Sequence, residues 1–225
     1  DPSKADQKIK TAIKQTAGKI LTWKQKPINT VYHATNGGVM ASVDEAWSTN
    51  QVPYLKMRLD GPKNWSSTVD LPLSNEQYLK SFLFSESEAF GSDHPLFRWD
   101  RTLESSQISK QLKQAQKITS TFYPEKIHAV SRGSSGRVTS LKIEGKTGSD
   151  ILLKVDDIRR VLRQLPSTLF VVKEIKEGKW LFSGGGFGHG AGMSQSGAIE
   201  LAKNGWTTKQ ILSHYYPKTK YGFLP

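Results

Sequence analysis

Apolar positions recur along this chain at both helical and strand spacing, in no regular strand-helix alternation. Over residues 5–17, Ile9, Ala12, Ile13 and Ala17 fall on one helical stripe, and Gly18 supplies the stop. Residues 19–23 and 28–33 alternate around Gln25-Lys26-Pro27, which predicts a hairpin, and Asn36-Gly37-Gly38 is a turn. Ser74 opens a second helix with Gln77 completing a capping box, and its apolar face is Tyr78, Leu79, Phe82 and Leu83. Residues 85–95 are polar and turn-rich and read as the loosest loop. A third helix spans about residues 104–118, with Ile108, Leu112 and Ala115 on one side and basic residues opposite.

Strand-like runs come next. Residues 126–132 and 137–144 flank Gly133-Ser134-Ser135-Gly136, and residues 151–155 lie beyond a turn at 145–148. Asp156 is placed to cap a short helix to Leu165, and residues 170–175 and 180–182 form a hairpin across Lys176-Glu177-Gly178. Hairpins mixed with helices predict an α+β fold: mixed, largely antiparallel sheets with short helices packed around them. A division near residue 100 is expected, into units 1–100 and 101–225.

The hairpin runs into the most unusual stretch of the chain, residues 184–217. It opens with five glycines in seven residues, continues through Met193-Ser194-Gln195, and ends in two short helical patterns separated at Asn204-Gly205. Glycine at this density marks backbone that turns through positive φ or approaches a neighbour closely. Residues 186–191 fit a lenient dinucleotide fingerprint, but no acidic residue occurs after Glu200, so the ribose-binding acid about 20 residues on is missing. The Gly-Lys-Ser/Thr ending of a phosphate loop is absent too. Gly192-Met193-Ser194-Gln195-Ser196 falls one residue short of a nucleophile elbow, and Ser194 reads better as the N-cap of a helix carrying Ala198, Leu201 and Ala202.

Charge adds a partner class. The chain has 225 residues, 32 Lys and Arg against 20 Asp and Glu, and a net charge of +12. That balance favours an anionic partner: nucleic acid, an acidic membrane surface or an anionic cell-wall polymer. There are no cysteines, which excludes disulfides, thiolate metal sites and cysteine catalysis. No apolar run approaches the ~20 residues that span a bilayer. Residues 1–4 carry no apolar signal, leaving a cytoplasmic protein or a targeting segment upstream.

The order of motifs resembles the stage II sporulation protein D family, SpoIID/LytB-like. Its GxGxGHGxGMSQxGA signature stands here at residues 184–198, its glycine turn at Asn204-Gly205-Trp206, and its ILxHYYPGT-like ending at residues 211–219. Residues 131–137 resemble the family's RSxSGR element with one extra residue. Residues 16–21, Pro27-Ile28, Tyr32-His33-Ala34 and Gly37-Gly38 resemble its TxGxVL…PI…YHSxxGG stretch, and Trp47 and Pro53-Tyr54-Leu55 match the family pattern just beyond that stretch.

The resemblance implies action on bacterial peptidoglycan, either lytic transglycosylase cleavage of glycan strands or enhancement of a cell-wall amidase. In such cleavage one carboxylic acid protonates the glycosidic oxygen, then as carboxylate takes the proton of the muramoyl C6 hydroxyl. The family's catalytic glutamate sits in an AEMP-like segment that this sequence does not contain, so the acid is expected upstream and no catalytic residue is assigned here. Some relatives hold zinc with a His at the place of His33 and two cysteines; without cysteine, neither metal nor cofactor is expected. His189, Ser194, Gln195, Arg137, Gly188 and Gly190 are the candidate substrate-binding residues, with exposed N–H groups of the segment as candidate ligand donors. Trp47, Trp65 and Trp99 are candidate sugar platforms. Expected partners are glycan strands and a cell-wall amidase, with nucleic acid left aside and membrane contact only through an N-terminal anchor. The resemblance also implies an extracytoplasmic, wall- or membrane-associated location in a bacterium. A non-catalytic glycan-binding module is the alternative.

Overall fold

The computed structural model describes residues 7–47, 49–120, 122–146 and 150–223. Residues 5 and 6 of the first predicted helix and residues 147 and 148 of the predicted turn lie outside the described residues.

The fold is α+β, with antiparallel sheets and short helices. Its centre is a three-stranded sheet in which Lys179–Gly185 lies between Phe170–Lys176 and Arg98–Glu104. Residues of alternate position, Trp99, Leu103, Trp180 and Phe182, turn to one face of it and are buried. A second three-stranded sheet, Pro124–Arg132, Val138–Gly145 and Ile151–Lys154, shares that core through Leu141, Ile143 and Leu153. The helices Ser105–Gln114 and Asp156–Val161 add Ile108, Leu112, Ile158 and Val161. Each fully buried side chain of this kind contributes roughly 1.5–3 kcal/mol.

A separate core joins the two ends of the described chain. Lys19–Trp23 pairs with both Lys26–Pro27 and Lys220–Phe223, and Leu21 packs with Met40, Leu55, Leu201, Ile211, Tyr215 and Tyr216. A short parallel pair, Met193–Ser194 with Tyr32–His33, stitches the glycine-rich segment to the first part of the chain. Val39–Met40 pairs with Arg58–Leu59 beside it.

Several local expectations shift by a residue or more. The hairpin turn sits at Lys24-Gln25, both at positive φ, so the returning strand is Lys26–Pro27 and residues 32–33 pair elsewhere. Asn75, not Ser74, caps the helix Glu76–Phe84, its Oδ1 accepting from the Gln77 and Tyr78 N–H groups. The helix after Lys154 starts at Asp156 behind Val155, without a side-chain cap, and ends at Val161. Arg98–Glu104, an edge strand of the central sheet, has too irregular a polar pattern to be read as a strand. Residues 85–95 are anchored rather than loose: Phe90 N–H donates to the Asp60 carbonyl at 2.8 Å, and Gly91 N–H to the Glu200 carboxylate at 2.5 Å. The helix Gln7–Thr16 forms as its stripe predicts, yet Ile9 and Ile13 remain 53% and 62% exposed.

Candidate functional site

The strand Lys179–Gly185 delivers the glycine-rich segment, residues 186–192, against residues 31–41. Phe187 N–H donates to the Thr35 carbonyl at 2.8 Å, Ala41 N–H to the Gly190 carbonyl at 2.9 Å, and Met193 N–H to the Val31 carbonyl at 3.1 Å. Gly186 and Gly188 donate to Phe97 and Pro166, and Ser196 donates to Ala34. These bonds commit the N–H groups of Gly186, Phe187 and Gly188 to the protein itself.

The side chains of the segment do the same. His189 donates through Nε2 to the Tyr32 carbonyl at 2.9 Å and accepts the Ala191 N–H at Nδ1 at 3.1 Å, which sets a neutral tautomer. Its ring packs at a tilt of 46° against Trp47, at 4.5 Å between centroids, and meets His33 edgewise at 5.2 Å. Burial, reinforced by the nearby Arg137 and Arg159 cations, outweighs the Tyr32 hydrogen bond and lowers the His189 pKa to about 4. His33 is buried and donates through Nδ1 to the Ala191 carbonyl at 3.1 Å. Burial, with His189 and Arg137 beside it, holds its pKa well below the usual histidine range. His33 Nε2 has no partner among the described residues, but its surroundings do not fit a metal. Both His189 nitrogens are bonded to backbone, and cysteine is absent.

Arg137 is fully buried. Its guanidinium donates to the Asn36 carbonyl at 3.0 Å and the Val39 carbonyl at 3.4 Å, and burial lowers its pKa to about 10 against the attraction of Glu45. The planar guanidinium lies against Gly190, where φ is +82° and a Cβ would overlap it. Gly188, at φ +116°, leaves room for the His33 side chain, whose Cβ would be 2.6 Å from a Cβ there. Both glycines are needed for close approach as well as for their backbone angle.

Ser194 is buried and caps the helix Gln195–Lys203, its Oγ accepting the Gly197 N–H at 3.3 Å. Gln195, the next residue, is exposed. It faces a groove of about 470 Å³ with Ala34, Gly91, Asp93, His94 and Lys203. The structure therefore clusters His189, Arg137, Gly188 and Gly190 on one side of Tyr32–His33, while Gln195 lies on the open face beyond the Ser194 cap. Trp65 and Trp99 are core residues, Trp99 donating its Nε1–H to the Gly186 carbonyl at 2.9 Å; Trp47 is partly exposed.

Comparisons with known proteins place the chain in a family. The family profile of a domain of unknown function, DUF8618, matches residues 41–192, more than half of the chain. The stage II sporulation protein D of Bacillus subtilis (strain 168) is 29% identical over 95% of this chain and 50% of its own length. That of Bacillus amyloliquefaciens is 30% identical over 93% of this chain and 49% of its length. The chain belongs to the stage II sporulation protein D family and carries the DUF8618 domain. A protein of Bacillus subtilis named amidase enhancer is 29% identical over 92% of the chain and 32% of its own length. The chain thus spans about a third to a half of the length of these relatives.

Two polar centres of this family member escaped the sequence reading. Asp60 is fully buried, with Oδ1 accepting from His214 Nε2 at 2.7 Å and Oδ2 from Asn36 Nδ2 at 2.6 Å and Tyr215 OH at 3.1 Å. Burial, then Asp60 itself, raises the Tyr215 pKa. Glu45 is buried where the loop at residues 133–137 closes, accepting from Ser134 Oγ at 2.9 Å, from Ser135 N–H at 3.3 Å and from Ser135 Oγ. The RSxSGR-like element is thus a clamp: its serines grip Glu45 and its Arg137 grips the turn at residues 36–39. Asp60 precedes Gly61-Pro62 and looks like a turn residue; only the return of His214-Tyr215 from far along the chain buries it.

Proposed function

We propose that this chain holds the glycan strand of bacterial peptidoglycan for a cell-wall-acting protein of the stage II sporulation protein D type, in an extracytoplasmic setting. The observation that carries this reading is the alignment of nearly the whole chain with relatives named for sporulation and amidase enhancement, joined to an open groove beside the signature helix. In this reading Gln195 meets the sugar, while His189, Arg137, Ser194, Gly188 and Gly190 build the wall behind it. Cleavage, where it occurs, runs through a carboxylic acid from beyond this sequence. It gives its proton to the glycosidic oxygen, and the resulting carboxylate takes the C6 hydroxyl proton as the anhydro ring closes.

A non-catalytic role, binding glycan or stimulating an amidase, is favoured by one observation. Among the described residues the two buried carboxylates, Glu45 and Asp60, have both oxygens engaged by donors, leaving neither to protonate a leaving group. Two assays separate the readings. Sedimentation of the 225-residue chain with purified peptidoglycan tests binding, and retention in the pellet is expected. Mass spectrometry for anhydromuramoyl ends after digestion with the full-length protein tests cleavage. Their absence with peptidoglycan and with peptide-free strands leaves the binding role alone.

A further inference from the structure

The end of the molecule built by residues 7–28 and 217–223 has no part in the glycan reading, and its composition sets it apart. These two segments hold eight lysines and no aspartate or glutamate, in a chain whose net charge is +12. Pairing of Lys19–Trp23 with Lys220–Phe223 brings the two segments together, so much of the excess positive charge is gathered at one end.

Apolar groups stand among these lysines. The helix Gln7–Thr16 buries none of its residues, and ten residues are too few for a stable helix on their own. Ile9 and Ile13, four apart, share one face and are 53% and 62% exposed, with Lys10 and Lys14 alongside. Just past the helix, a Cβ on Gly18 would lie 3.8 Å from the Phe223 ring, which is itself 69% exposed. Lys19 Nζ lies 5.9 Å from the centres of the Tyr221 and Phe223 rings, and Lys24 Nζ lies 4.7 Å from that of Trp23. Apolar and cationic groups are thus interleaved from the helix to the adjoining sheet.

A second copy of the chain would set lysines against lysines. A soluble polyanion would satisfy the lysines and leave the isoleucines in water. An anionic lipid surface accommodates both, because headgroups meet the ammonium groups while apolar side chains enter the boundary with the acyl chains. Among the described residues no helix is long and apolar enough to cross a membrane, so contact runs along the surface. We infer that this end of the molecule docks peripherally on an anionic lipid bilayer. Gln7–Thr16 lies in the plane of the interface with Ile9 and Ile13 inserted. Phe223 enters beside them, and Lys10, Lys14, Lys19 and Lys24 meet the headgroups. The inference is independent of what the groove beside Gln195 holds.

The test sediments the 225-residue chain with vesicles of phosphatidylcholine alone and of phosphatidylcholine mixed with phosphatidylglycerol. Retention is expected on the anionic vesicles only, and it should weaken as salt is raised. The paired variants Ile9→Asp, Ile13→Asp and Lys10→Glu, Lys14→Glu should each weaken vesicle binding by about tenfold, while Ile9→Leu, Ile13→Leu retains it. All four sites are exposed, so thermal melting should leave the variants at the parent Tm. Loss of vesicle binding with peptidoglycan retention intact separates this face from the glycan reading. If the parent ignores anionic vesicles, or the aspartate pair binds them as the parent does, the inference is overturned and the glycan reading stands. Equal binding of polyphosphate by the parent and the aspartate pair, without vesicle binding, makes the face a polyanion site instead. A dimer in gel filtration that the aspartate pair dissociates makes it an interface between copies, and either result overturns lipid docking.

Discussion

On the inward side of the glycine-rich segment, His189, Arg137 and Ser194 all bond to the chain's own backbone. On its outward side, Gln195, Asp93 and Lys203 bond to no described residue. The two regions meet across a single residue, the Ser194 cap, yet differ in what a substitution there can do. A buried polar group that loses its partner carries the full desolvation cost of the partner left behind, whereas an exposed one returns to water. The inward residues therefore control whether the wall stands, and the outward ones what it holds. Motif strength does not distinguish His189 and Ser194 from Gln195, because all three stand in one signature, residues 184–198.

Breaking the comparison starts with Asp60. Asp60→Ala leaves His214, Tyr215 and Asn36 without their shared acceptor and should lower unfolding free energy by about 3–5 kcal/mol in urea titration. A loss under 1 kcal/mol would mean that the network is solvated. Gly190→Ala comes next, at about 2–3 kcal/mol, because a Cβ at φ +82° meets the Arg137 guanidinium. Arg137→Ala carries its own cost, and the double variant Gly190→Ala, Arg137→Ala should lose less than the sum of the two single losses, the shortfall measuring the clash and the remainder the backbone strain.

The histidines sharpen the inward side further. The folded chain holds His189 near 4, while the unfolded chain protonates histidine near the ordinary value of ~6.5, so acid favours the unfolded state. This contribution is complete above about pH 6.5 and is lost as pH falls toward 4. His33 shifts in the same direction. After allowance for the partly open ring of His189, the pair should give about 2 kcal/mol. Urea midpoints at pH 7 and 4.5 should differ less in His189→Gln than in the parent; an equal difference would place the pH dependence elsewhere.

Ser194→Ala should cost about 1 kcal/mol, the ordinary worth of a helix N-cap. Smallest of all, Gln195→Ala should change stability by less than about 0.5 kcal/mol in the same titration. Retention by purified peptidoglycan should nevertheless fall, and unchanged retention would count against an outward recognition face.

Much of the secondary structure was legible because it depends on near neighbours. The stripe of Ile108 and Leu112, the Ser194 cap, and the hairpins around Gly133–Gly136 and Gly178 all rest on contacts within a few residues. The family was legible for another reason: its motifs occur in order along the chain. Less legible were Arg98–Glu104, which is a strand because Lys179–Gly185 offers it a ladder, and the anchored stretch 85–95, held by Asp60 and Glu200. Trp65 and Trp99 stood as candidate platforms although tryptophan is more often core, and packing decided for core.

By itself, then, the chain's sequence determined the α+β class, the Ser194 cap of the signature helix and the density of glycine needed to bring backbone close to backbone. Tertiary structure alone decided which polar groups of the signature are satisfied. Hydrogen-bond satisfaction depends on partners far apart in the chain: Tyr32 for His189, Asn36 for Arg137, Asp60 for His214. A donor's type can be read from its residue name, but whether it is still free to meet a ligand depends on what the fold has placed beside it.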